Sequence, residues 1–173
     1  MGADHAPTPP AAPTTPAAPA APAAPADPFR LQRFVDAQDG VYERALGELR
    51  AGRKRSHWIW FVFPQLAGLG SSAMSLEYGI STLDEAVAFL RHPLLGPRLV
   101  ECVEAVVAVA AEGRSVEDIV GPDAVKLRSS LTLFAEAGPE ISVFRDALGQ
   151  GFGGRPDQRT LELLAARGPT RSA

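Results

Sequence analysis

From Arg50 to Gly70 the chain reads Arg-Ala-Gly-Arg-Lys-Arg-Ser-His-Trp-Ile-Trp-Phe-Val-Phe-Pro-Gln-Leu-Ala-Gly-Leu-Gly, and this block holds the residues best suited to chemistry. His57 offers an imidazole, the side chain most often used as a general base. Its competing role is a buried ring donating to a backbone carbonyl beside Trp58. Trp58 and Trp60 offer indole faces on which a base or a nicotinamide could stack, or which could fill a core. Two residues on, a helix has turned by about 200°, so the two indoles cannot face the same way. Gln65, after Pro64, can donate and accept at once, which suits reading an amide or a base edge or capping a neighbouring helix. Lys54, in the basic run Arg50 to Arg55, is a candidate for holding an anion.

Two further clusters could complete such a site. Gly68-Leu69-Gly70-Ser71-Ser72 is a glycine loop running into a helix start at Ser71, where exposed backbone donors would suit a phosphate. It matches neither the Walker pattern nor the dinucleotide fingerprint, and a plain turn with a serine cap is the competing role. Lys126, Ser129 and Ser130 stand at helical spacings of three and four, hence on one face. A lysine and two hydroxyls there could bind an anionic group or make helix–helix hydrogen bonds. The lysine precedes the serines, so the Ser-x-x-Lys nucleophile pattern is absent.

Other chemistry finds no support. The three histidines and the single Cys102 show no metal-ligand spacing, so neither a metal nor a cofactor is expected. There is no Gly-x-Ser-x-Gly elbow and no paired-carboxylate arrangement. A formal net charge of −3 creates no general field for nucleic acid, and the Arg50 to Arg55 run also suits a helix C-terminus. No apolar run reaches the roughly 20 residues of a membrane span. The first residues carry neither the basic region nor the leucine-rich core of a secretory signal, so the expected compartment is the cytoplasm.

Helices must position these groups. Residues 1–26 hold eight of the sixteen prolines and read as a disordered Ala/Pro-rich tail, with a second short tail at 168–173. Between them, 27–167 reads as one domain. Asp27-Pro28 can cap and start a helix, Gly40 and Gly52 interrupt, and Thr82-Leu-Asp-Glu85 has capping-box form. Pro93 opens a long apolar segment through Ala111, and Pro122 one running to about Ala137. Pro139 and Pro156 can each open another, with Asp157 as a cap, while Gly149 to Gly154 reads as a loop. Alternation of period two is confined to Trp58–Phe63, which without a partner strand is better placed in a buried helix. The fold class that follows is all-α, an irregular multihelical single domain of about seven to nine short helices.

The residues also resemble a family. The succession Gln38, Tyr42, Ala45-Leu46, Glu48-Leu49, Gly52, Lys54, Ser56-His57-Trp58, Trp60-Phe61, Phe63-Pro64-Gln65, Gly68-Leu69-Gly70 and Tyr78-Gly79-Ile80 resembles domain-of-unknown-function family 1810. This is an uncharacterised bacterial family whose members are often mislabelled calpastatin. The resemblance continues through His92-Pro93, Lys126-Leu127, Ser129-Ser130, Thr132-Leu133-Phe134 and Gly153-Gly154, covering about residues 29 to 165. The family's methionine after the first tryptophan is here Ile59. The resemblance implies an all-α, multihelical domain and no particular activity. A looser similarity of helical pattern links the chain to the ADP-ribose-processing NADAR family.

Two readings therefore stand side by side. In one, His57, Lys54, Trp58, Gln65, Ser71, Lys126 and Ser130 line a pocket for a phosphorylated or nucleotide-derived, ADP-ribose-type small molecule. A hydrolase or transferase would then use His57 as base. In the other, the aromatic block is core and the basic turn meets an acidic protein partner, with no catalysis. They part on whether the polar atoms of Trp58, Gln65, Lys126 and Ser130 converge on a concave pocket or are satisfied inside the fold.

Overall fold

The computed structural model describes residues 26–168, so the two tails expected from composition lie outside the described residues except for Ala26 and Gly168 at their edges. The chain forms α1 (Gln32–Gln38), α2 (Tyr42–Arg50), α3 (Ile59–Val62), α4 (Ala73–Glu77) and α5 (Leu83–Arg91). It continues through α6 (Leu95–Ala111), α7 (Val116–Val120), a 3-10 turn (Gly121–Asp123), α8 (Ala124–Ala137), α9 (Val143–Phe152) and α10 (Gln158–Arg167). Seven of these helices have seven residues or more; α3, α4 and α7 have four or five. Among the described residues no strand forms, and Leu66 and Ile80 make one isolated parallel bridge. The all-α expectation holds.

α6 is the hub. Its apolar positions Leu95, Leu99, Cys102, Val103, Val106 and Val109 are buried along one side, and it packs against α2, α5 and α9. α8 is the second hub, contacting α5, α9 and α10. A relay of rings ties these elements together. Phe34 of α1 meets Phe89 of α5 edge-on at 5.1 Å; Phe89 meets Phe134 of α8 at 5.3 Å; Phe134 meets Phe144 of α9 at 5.9 Å. All four are fully buried, and each such pair adds about 0.5–1.5 kcal/mol beyond the area it removes from water.

Several helix starts follow the sequence signals. Ser115 and Asp118 form a full capping box, and Asp157 accepts from the Thr160 amide at 2.9 Å to open α10. Thr82 accepts from the Glu85 amide, but Glu85 turns its carboxylate to the Ser81 amide and Arg33, so only half of that box forms. α6 is capped by an unexpected group: His92 Nδ1 accepts from the Leu94 and Leu95 amides at 3.2 and 3.3 Å.

Three sequence expectations are corrected. The helix expected from Pro28 begins only at Gln32, after a turn in which Arg30 sits at φ 54°; Asp27 reaches across that turn and accepts from the Leu31 and Gln32 amides at the start of α1. Gly149 and Gly151 are not loop residues but lie inside α9, which ends only at Gly153, φ 61°. A Cβ on Gly151 would stand 2.5 Å from Val116 Cγ2, so the missing side chain lets α9 pass close to α7. The helix after the glycine loop is capped by Ser72, whose hydroxyl accepts from the Ser75 amide, and Ser71 is exposed outside it. α4 has only five residues and buries none of them.

Candidate functional site

The turn after α2 is built on one carboxylate. Glu48 leaves the last turn of α2 and accepts from the Arg55 amide at 2.8 Å, the Ser56 amide at 3.0 Å, the Ser56 hydroxyl at 2.6 Å and the Trp58 indole N–H at 2.8 Å. Burial works against its charge, but these four donors prevail and hold the carboxyl at about 2. The chain between Gly52 and Trp58 is thereby wound around Glu48. Gly52, at φ 67°, lets the turn leave the helix.

Lys54 points inward from this turn. Its backbone N–H donates to Ile119 O, and its ammonium lies 2.7 Å from Asp123 Oδ2, with the side chain only 10% exposed. Lys126, on the first turn of α8, reaches the other oxygen of Asp123, also at 2.7 Å. Each ammonium also lies by an indole: Lys54 5.2 Å from the Trp58 ring, Lys126 5.6 Å from the Trp60 ring. Burial opposes the charge on Asp123, yet the two ammonium groups hold its carboxyl below the ordinary carboxylate range. Two cations thus share one carboxylate.

The predicted site residues divide into three places. Lys54, Trp58 and Lys126 come together around Asp123, although Lys126 is distant in sequence. Trp58 is fully buried with its N–H on Glu48, so it is core. Gln65 lies apart from the lysines, lining a cavity of about 10 Å³ with Trp60, Leu66, Gly70, Met74, Ser75, Tyr78 and Gly79. That space holds about one water and no nucleotide-sized group. Ser71 is exposed on the neighbouring loop. His57 is exposed and makes no hydrogen bond among the described residues, so it is not the buried donor. Ser130 is fully buried, and its hydroxyl has no hydrogen-bond partner among the described residues; Ser129 Oγ donates back to Val125 O. The Lys126–Ser130 face is therefore not an open anion cradle.

Glu48, Asp123 and Trp60 carry the arrangement; the sequence offered Trp60 as a stacking face, and it gave Glu48 and Asp123 no site role. Asp123 could have been found from its spacing of three before Lys126 on a helix start. Its contact with Lys54 has no local signal. Trp60 is half-buried at the margin of the core, and its Nε1–H is shielded from solvent with no hydrogen-bond partner among the described residues. Cys102 is buried, and desolvation pushes its thiol up to about 12. Among the described residues no group of three or more His, Cys, Asp or Glu side chains is placed to hold a metal ion, and no helix is long and apolar enough to cross a membrane.

Outside the turn's inner face lie its charges. Arg53, Arg55 and His57 are exposed, and neither arginine makes an ion pair among the described residues. Arg53 and Arg55 with Lys54 and Lys126 set four cations against the carboxylates of Glu48 and Asp123, on a chain whose formal net charge is −3.

Residues 28–164 match the model of a family described as protein of unknown function (DUF1810). The chain is also similar to the conserved hypothetical protein Rv1873 from Mycobacterium tuberculosis, known from a crystal structure at 1.38 Å. The two are 57% identical, with a TM-score of 0.78, covering 80% of this chain and 99% of the mycobacterial one. No curated protein matches the chain.

Proposed function

We propose that this chain, which belongs to the DUF1810 family, is a non-catalytic interaction module whose basic turn, residues 51–57, meets an acidic protein partner. The observation that carries this reading is the direction of the polar groups in the aromatic block. Trp58 and Ser56 spend theirs on Glu48, and Lys54 spends its ammonium on Asp123. Arg53 and Arg55 face solvent unpaired among the described residues, on a turn wound around a half-buried carboxylate. A rigid turn presenting guanidinium groups loses little entropy on meeting carboxylates, and its bidentate donors suit them. The exposed, unpartnered His57 lends nothing to a catalytic reading.

The test is a titration of the isotope-labelled full chain with a poly-glutamate peptide, followed by NMR. Amide shifts should concentrate in residues 51–57, weaken as salt rises, and disappear in R53A/R55A. Shifts spread evenly over the surface, or unchanged in the double variant, would sink the reading.

One observation favours the small-molecule alternative, a ligand of the phosphorylated or ADP-ribose type. The Trp60 Nε1–H is buried without a protein acceptor, and the Lys126 ammonium lies by the same ring. A buried donor left unpaired costs about 1–3 kcal/mol, so an acceptor from outside the protein would be stabilised there. Thermal-shift measurements with ADP-ribose and with inorganic phosphate, on the native chain and on K126A, test it. A shift in melting temperature that is lost in K126A supports the ligand; no shift with either compound rejects it.

A further inference from the structure

The segment between Leu66 and Ile80 is closed at its ends and loose in its middle. The ends are joined by two backbone hydrogen bonds of 2.8 Å, Ala67 N–H to Ile80 O and Ile80 N–H to Gln65 O. Two arginines from outside the segment reinforce them. Arg33 donates to Glu77 O and Gly79 O, and Arg167 donates to Ala67 O and Ser81 O. Residues 67–79 thus form a compact loop with its ends held together, the geometry of an Ω-loop. Its middle is different. α4 buries none of its residues, and Leu76 is 71% exposed. The loop is held down by the half-buried side chains of Leu69, Met74 and Tyr78, the last with its ring against Phe34 and Phe61, so lifting it breaks these few contacts while the pinned ends act as hinges.

Directly beneath the loop is the cavity of about 10 Å³ that Trp60 and Gln65 line from the body of the domain and Met74, Ser75 and Tyr78 line from the loop. Among the residues that line it, Trp60 carries an unpartnered Nε1–H, Gln65 an amide, Tyr78 a hydroxyl and Ser75 a hydroxyl 2.8 Å from that of Ser72, so residues able to donate surround one small space. The Lys126 ammonium lies by the Trp60 ring and adds positive potential.

We propose that the 67–79 loop is a lid, and that the Trp60 floor beneath it is a binding site for a small oxyanion, a carboxylate or a phosphate. The proposal rests on the small-ligand reading and is independent of the acidic-partner reading, whose arginines lie on the turn before Trp58. The loop swings outward about its pinned ends, the oxyanion accepts from Trp60 Nε1–H and from Gln65, and the loop closes over it through Ser75 and Tyr78. The closed loop leaves room for only about one water, so admission requires the swing.

The chain has two tryptophans, hence two indole N–H signals, and W60F assigns them. The first arm is hydrogen exchange of the full chain. The lid requires the Trp60 indole proton to exchange together with the Leu76 and Tyr78 amides, about a hundredfold or more faster than the Trp58 indole proton and the Phe63 amide. Exchange of the Trp60 proton as slow as that of Trp58 overturns the lid. The second arm is titration with sodium phosphate and, separately, sodium acetate, with sodium chloride as the ionic-strength control. A saturable shift of the Trp60 indole signal, with Trp58 stationary, identifies the site and says which oxyanion it takes. The same shift should need several-fold more anion in Q65A and be unchanged in R53A/R55A. A linear drift matching sodium chloride overturns the ligand even where the loop is seen to open, and a shift lost in R53A/R55A assigns the anion to the basic turn instead.

Discussion

Replacing Glu48 by glutamine removes one negative charge and keeps the shape of the side chain. In the folded protein the carboxylate accepts four hydrogen bonds, two from backbone amides, one from a hydroxyl and one from an indole. Glutamine can satisfy part of this set with its carbonyl oxygen, but its amide nitrogen then faces donors. The magnitude follows from linkage. The carboxyl sits at about 2 in the folded state against an ordinary 4.5, so the folded state favours the ionised form. Such a group stabilises the fold fully above 4.5, and that stability is lost as pH falls from there towards 2. The upper bound is roughly 3 kcal/mol at about 1.4 kcal/mol per pH unit. Because Glu48 is only half-buried, solvent screening reduces this to about 1.5–2 kcal/mol. Urea unfolding of the native chain and E48Q at pH 7 should therefore differ by about 1.5–2 kcal/mol, and the difference should shrink by at least roughly half at pH 3. Comparing the two chains at each pH cancels the titration of every other carboxylate they share. The Trp58 indole signal should also move in E48Q, since it loses its charged acceptor. A difference of equal size at both pH values would refute the reasoning, because the stabilisation would then not come from the ionised carboxylate.

Three further outcomes are expected. Gly96→Ala places a Cβ 2.0 Å from the Leu90 carbonyl oxygen where α6 leaves α5; denaturant unfolding should show a loss of about 3 kcal/mol or more. Cys102, buried and with its thiol raised to about 12, should resist a disulfide reagent at neutral pH in the native state and react fully in denaturant. Asp123→Asn leaves Lys54 and Lys126 without their shared carboxylate, which calorimetry should register as roughly 1–3 kcal/mol of lost stability, with Lys54, the less exposed of the two, bearing most of it.

The parts of the fold written in local chemistry were legible in the sequence. Ser115, Asp157 and the two long apolar runs after Pro93 and Pro122 act through neighbours three and four residues away, and the structure places α6, α7, α8 and α10 accordingly. Asp27 was placed rightly as a cap and the helix start wrongly, because its carboxylate reaches over a turn of four residues to the first amides of α1. Gly149 and Gly151 misled because glycine marks both turns and close approach, and only the third dimension shows Val116 against α9. The candidate site was less legible. Lys54 and Lys126 were chosen for charge, and what unites them is Asp123, through a contact with Lys54 that no sequence spacing encodes. His57 was chosen for its ring, whereas its neighbours Ser56 and Trp58 turn to Glu48 and leave it outside.

The relay of phenylalanines has a kinetic consequence. Phe34, Phe89, Phe134 and Phe144 come from α1, α5, α8 and α9, so each link except the last joins helices separated by several others along the chain. An all-helical domain ordinarily folds quickly because its contacts are close in sequence. Here the central contacts close long loops, and their chain entropy must be met before the rings can stabilise anything. The domain should therefore fold more slowly than an up-and-down bundle of the same length, and should fold whole: a chain ending before α9 would leave Phe134 without Phe144 and the hub α6 without a main partner.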